Sequence, residues 1–125
     1  DRVDRDETLV SWKERNDNSV FVSVSMEEAL DLKDDLSRWQ VLCKAPYPNM
    51  GDPVVQYRMD ELNQWGWYYR TTLKTIMQAC GRIIRSPDDY GITYIADGSI
   101  HDVFEKTRHD MPPWFEEQVQ AMNQR

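Results

Sequence analysis

An α/β fold with a mostly parallel sheet and flanking helices is what this sequence predicts, and three observations carry it. Apolar, β-branched runs alternate along the chain with segments of helical periodicity, the order that βαβ units produce. The strand runs are short and nearly continuously apolar, as in a sheet covered on both faces. Clusters of Pro, Gly, Asn, Asp and Ser separate them. About three strands are expected, few for this architecture, so the sheet reads as part of a larger domain.

The totals agree with one domain over residues 1–125. A chain of 125 residues is long enough to bury a single core. Its 40% hydrophobic content and five tryptophans exclude a disordered chain, despite 30% charged residues. No run of about 18 apolar residues exists, so no membrane-spanning helix is expected. The N-terminal Asp1-Arg2-Val3-Asp4-Arg5-Asp6 has no signal-peptide core, and without an initiator methionine the chain reads as an excised piece of something longer.

In chain order, residues 7–15 predict a short amphipathic helix with Leu9, Val10 and Trp12 as its apolar part. Asn16-Asp17-Asn18-Ser19 breaks it, and residues 20–24 predict a first strand buried on both faces. Ser25-Met26-Glu27-Glu28 has the form of a capping box and starts a helical turn. Residues 38–45 predict the second strand, which Pro46-Tyr47-Pro48 must end. Asp52-Pro53 is a cap followed by an N1 proline, opening a helix to about Leu62. A longer helix is expected from Trp65 or Trp67 through Arg85, with a break near Asn63 and Gly66. Residues 92–96 predict the third strand, and two helical pieces follow, at 100–106 and 113–122.

Chemistry concentrates at Gln78-Ala79-Cys80-Gly81-Arg82-Ile83-Ile84-Arg85. On a continuous helix Gln78, Arg82 and Arg85 share one face, with Ile76, Cys80 and Ile83 opposite as the core stripe. Two cations and an amide fixed on the last turns fit a phosphate clamp, while the plainer reading is a solvated face with ordinary salt bridges. Cys43 and Cys80 make neither a disulfide framework nor a metal box; both are expected as buried free thiols in a reducing, cytoplasmic setting. His101 and His109 stand apart from any ligand partner, so no zinc site is expected. The net charge of −7 makes the chain a poor autonomous nucleic-acid binder. Between residues 57 and 85, however, Arg58, Arg70, Lys74, Arg82 and Arg85 outweigh Asp60 and Glu61, a local basic surface on an acidic body. There is no GxxxxGK[ST] loop and no DExH or DExD pair, so the chain cannot hydrolyse a nucleoside triphosphate alone in the P-loop manner.

Gln78-x-x-Gly81-Arg82-x-x-Arg85, followed by Ser86-Pro87-Asp88-Asp89-Tyr90-Gly91, resembles motif VI of superfamily 2 helicases of the XPD/DinG-like branch. Residues 20–32, including Ser25-Met26-Glu27-Glu28-Ala29-Leu30-Asp31, resemble that branch's motif V, with Ala29 standing where the family has glycine. Lys44-Ala45-Pro46-Tyr47-Pro48 with Gly51-Asp52-Pro53, and Pro112-Pro113-Trp114-Phe115, are similar to the intervening segment and the closing helix. The resemblance covers nearly the whole chain. It implies a second RecA-like motor domain of an ATP-dependent DNA helicase, whose P-loop domain lies elsewhere in the same polypeptide. ATP with Mg²⁺ would be held mainly by that absent domain, as would any iron–sulphur cluster. Arg82 and Arg85 would be arginine fingers with Gln78 nearby, Glu28, Asp31 and Gly81 would couple the nucleotide site, and Ser25, Met26, Lys44 and Tyr47 would line a single-stranded DNA track.

Other readings stay open beside these. Glu28 is equally explained as the capping-box glutamate, and Lys44 and Tyr47 as residues of a chain reversal. Trp65, Trp67, Tyr68 and Tyr69 fit either base stacking or a core cluster. The alternative for the whole chain is a stand-alone, non-catalytic α/β module that binds nucleic acid or protein.

Overall fold

The computed structural model describes residues 2–15, 17–23, 37–83 and 88–122. Five α-helices and two strands form there: α1 Arg2–Glu14, β1 Trp39–Leu42, α2 Pro53–Gln56, α3 Trp65–Cys80, β2 Ile92–Ile95, α4 Ile100–Lys106 and α5 Pro113–Met122. The order is that of a βαβ unit with further helices, a mixed helix–strand architecture consistent with a partial RecA-like α/β domain.

β1 and β2 pair in parallel, with Trp39 opposite Ile92 and Leu42 opposite Ile95. Alternation along each strand sends Gln40, Leu42, Thr93 and Ile95 to one face. Leu42 and Ile95 pack there on the buried cluster of Leu73, Ile76, Ile100, Val103, Phe104 and Phe115. The opposite face, with Trp39, Val41, Ile92 and Tyr94, is about half exposed.

Local chemistry explains most boundaries. Asp52 caps α2, its Oδ1 accepting the Val54 N–H at 2.8 Å and the Val55 N–H at 3.4 Å. α2 runs into a π-helical turn, Tyr57–Glu61, closed by the Leu62 N–H on the Tyr57 carbonyl at 3.2 Å. Asn63 then takes a positive φ of 51°, a conformation Asn tolerates better than most residues, and so supplies the expected break. α3 buries Thr72, Leu73, Ile76 and Ala79, spaced as one helical face. α4 and α5 have the bounds that the sequence predicts.

Four expectations change. Residues 20–23 form no strand, and Val20 and Val22 are exposed. That stretch is tied to α1 instead: the Trp12 ring lies 5.7 Å from Phe21, and Trp12 Nε1 donates to the Ser19 carbonyl. β-propensity without a pairing partner does not make a strand. α1 begins earlier than predicted, at Arg2, and Val10 on it is exposed. Cys43 is exposed rather than buried, because β1 ends at Leu42 and the burial alternation ends with it. Finally, α3 stops at Cys80 and does not run on through residue 85, so Arg82 lies beyond the helix that carries Gln78. The capping-box turn, and with it Ser25, Met26, Glu28, Ala29 and Asp31, lies outside the described residues, as does Arg85.

Candidate functional site

The last turn of α3 and the residues just past it hold the described part of the arginine motif. Gln78 is exposed on that turn. Gly81 keeps helical dihedrals, with φ −70°, and its N–H reaches the Met77 carbonyl at 3.0 Å. The Arg82 N–H instead goes to Ala79 at 3.2 Å, the tighter bond with which many helices end. Arg82 is buried, with 8% of its surface exposed, and Ile83 after it is fully buried. So Gln78 and Arg82 are neighbours along the chain in very different environments.

Three contacts fix this turn. Gln40 Nε2 donates to the Ala79 carbonyl at 2.7 Å and to Thr93 Oγ1 at 2.9 Å, joining the helix end to both strands. Ile83 lies against Gly91, where an added Cβ would stand 2.6 Å from Ile83 Cδ1. Cys80 also bonds to Thr93, but burial is the larger influence and pushes its thiol pKa up, which makes it a poor nucleophile. Further along, Arg38 pairs with Asp89, whose side chain is 6% exposed. Arg38 also donates to the Tyr90 carbonyl at 3.1 Å and lies 4.2 Å over the Tyr90 ring. Residues 89–90, which follow the motif, are thus anchored to the start of β1.

A second group gathers at the other end of the strands. Asp97 Oδ2 accepts the Ala45 N–H at 2.9 Å and Oδ1 accepts the Ser99 N–H at 3.0 Å. The Ala45 bond, then the Ser99 bonds, hold its carboxyl below the ordinary carboxylate range. Lys44 beside it is exposed. Tyr47 donates to the Ser99 carbonyl at 3.3 Å, stacks on Tyr68 with centroids 5.4 Å apart, and meets Tyr69 edge-on. Trp65 meets Tyr68 edge-on, and Lys106 Nζ donates to the Tyr69 hydroxyl at 2.9 Å. These rings pack on one another. Trp67 carries the Arg58 guanidinium at 4.6 Å, so one member of the expected basic surface, half-buried, is engaged by an aromatic ring.

Because α3 runs back along β1, the two groups lie at its opposite ends. Tyr68 and Arg82 are separated by roughly 20 Å at 1.5 Å per residue. The structure therefore brings Gln78, Gly81 and Arg82 together, and Lys44 with Tyr47, but not one set with the other. Sequence reading gave no role to Gln40 or Asp97, and quoted Asp89 and Gly91 only as part of the stretch after the motif. Two of them left a signal: Gln40 is polar on the inward face of an apolar strand, and Asp97-Gly98-Ser99 is Asx-turn chemistry. Among the described residues, no group of three or more His, Cys, Asp or Glu converges as a metal site. Nor is any of their helices long and apolar enough to cross a membrane.

With this geometry in place, the chain belongs to the helicase C-terminal domain family, whose profile matches residues 1–118. The match bears out the resemblance to XPD/DinG-like helicases. The chain is 30% identical over 108 residues to the human regulator of telomere elongation helicase 1, an alignment covering 75% of this chain and 9% of that protein. To the bovine protein of the same name it is 27% identical over 120 residues, 82% of this chain and 10% of the relative. The chicken Fanconi anemia group J protein homolog is 24% identical over 124 residues, 89% of this chain and 10% of that protein. The chain thus spans about a tenth of the length of the curated relatives it matches. No solved structure matches it significantly.

Proposed function

We propose that this helicase C-terminal domain completes an ATPase site built mainly by a P-loop domain of the same polypeptide. Arg82 and Arg85 act as arginine fingers on the γ-phosphate, with Gln78 in the same network and Gly81 letting the helix end come close. The observation that carries this reading is Arg82 itself: a charged side chain kept more than nine-tenths buried at the family's motif position, on a turn anchored to both strands. Transition-state contacts need a group held in one place before the reaction begins.

Mg²⁺ and the nucleotide belong chiefly to the P-loop domain, and the fingers supply positive charge as the γ-phosphoryl group departs. An iron–sulphur cluster, which takes four cysteines, would belong to that domain too, since this chain holds two. Glu28 and Asp31 couple the nucleotide site to single-stranded DNA, which Ser25, Met26, Lys44 and Tyr47 contact along a separate track. The distance between the two ends of α3 supports two sites, one for nucleotide and one for strand, joined by a rigid helix.

The test is DNA-stimulated ATP hydrolysis by the chain joined to its P-loop domain. Arg82→Ala and Arg85→Ala should each lower turnover by roughly 10³–10⁵, the range arginine fingers supply. Turnover within a few-fold of wild type in both variants would sink the finger assignment.

A further inference from the structure

The turn that carries Arg82 is held from the sheet by a side chain outside both helicase motifs. Gln40 is the second residue of β1 and faces α3. Its Nε2 donates to the Ala79 carbonyl and to Thr93 Oγ1, at 2.7 and 2.9 Å. The Ala79 carbonyl is among the acceptors that a helix end leaves without an intrahelical partner. It also accepts the Arg82 N–H at 3.2 Å. One oxygen therefore receives a donor from the sheet and a donor from the arginine's own backbone, which uses both of its lone pairs. A primary amide has the two N–H groups this joint needs. An alkyl side chain has none, and neither has an ionised carboxylate.

We infer that Gln40 is a positioning residue: by fastening the Ala79 carbonyl to β1 and β2, it sets the place from which Arg82 meets a nucleotide phosphate. The inference rests on the finger reading and adds to it a residue of the sheet. Fixation acts on both sides of the arginine. Ala79 is held before it by Gln40, and Ile83 is held after it by its seat on Gly91. Loss of the first anchor leaves the turn with fewer ties to the strands, so the guanidinium samples a wider range of positions. Misplacement by about 1 Å can cost on the order of 10²-fold in rate, even when the altered residue is remote from the chemistry.

Two measurements separate this inference from the reading beneath it. In the first, amide hydrogen exchange on the chain compares wild type with Gln40→Glu, nearly isosteric but without a donor when ionised, and with Gln40→Leu. The Arg82 N–H should exchange about ten-fold faster in both variants, while the Ile76 N–H in mid-helix stays within about two-fold. No change at Arg82, or equal acceleration along all of α3, overturns the positioning role and leaves the fingers untouched. The second measures DNA-stimulated ATP hydrolysis by the chain joined to its P-loop domain. Gln40→Glu should lower kcat about ten-fold with KM for ATP within about two-fold, the split expected when only transition-state contact is lost. Gln40→Lys, whose ammonium can donate to both acceptors, should recover most of that rate. Full kcat in Gln40→Glu alongside a dead Arg82→Ala overturns the inference alone. Full turnover in Arg82→Ala overturns both.

Discussion

A methyl group added at Gly91 would place its carbon 2.6 Å from Ile83 Cδ1 and 3.0 Å from Cγ1, so one of the two must move. Ile83 is fully buried and branched at Cβ, with little freedom to turn aside. Gly91→Ala should therefore destabilise the chain by about 1–3 kcal/mol, the usual cost of overpacking, read from urea unfolding. A change below about 0.5 kcal/mol would show that the turn is looser than its packing implies. Glycine is required here for close approach and not for a left-handed backbone. Sequence reading could place Gly91 in a turn but could not see this contact, because turn chemistry does not show that Ile83, eight residues earlier, packs on it. Arg82 repeats the lesson. Its residue type and motif were legible from local spacing, whereas the anchoring of its turn depends on strands about 40 residues earlier and 10 later in the chain.

Among the elements, those that carry their own punctuation were legible. α2 announces itself by Asp52-Pro53, the break by Asn63, and α4 and α5 by their apolar spacing between Gly, Ser and Pro. The end of α3 was not, since Gly81 stops a helix only when something else holds the next residues, and here that is Gln40 and the seat of Ile83. Residues 20–23 failed for the complementary reason, having strand composition and, among the described residues, no strand paired with them. The joint between both strand ends and α4 rests on Asp97. Its carboxyl titrates below the ordinary value, so the bonds to Ala45 and Ser99 stabilise the fold fully above a pH of about 4 and are lost as pH falls through the lowered folded value. Asp97→Asn should melt below wild type at pH 7, with the gap closing as pH drops under about 4. Thermal melts across that range check it, and a gap independent of pH would assign the effect to packing.

At the scale of the molecule, an acidic body with a net charge of −7 carries Arg82 at one end of α3 and its ring cluster at the other. Fluorescence anisotropy with a single-stranded oligonucleotide should give the isolated chain a Kd above roughly 10⁻⁴ M at physiological salt, the weak limit of non-specific binding. Affinity below a micromolar with steep salt dependence would favour the stand-alone module instead. Family membership was legible because several motifs occur in the right order, a pattern that needs no knowledge of contacts. The division of the site into two ends was not, because spacing along the chain does not give the direction in which α3 returns along β1.

The strand pair also sets when the arginine turn can form. Trp39 meets Ile92, and Gln40 meets Thr93, only after a loop of about 50 residues has closed, and closing such a loop is costly in entropy before any contact rewards it. α3 can grow from local bonds alone, but its end cannot be fastened until the strands have met. The folding order these costs predict is helix first, strand register second, Arg82 last. Reversed, the same order means that opening the strand pair releases the arginine turn while most of α3 remains helical.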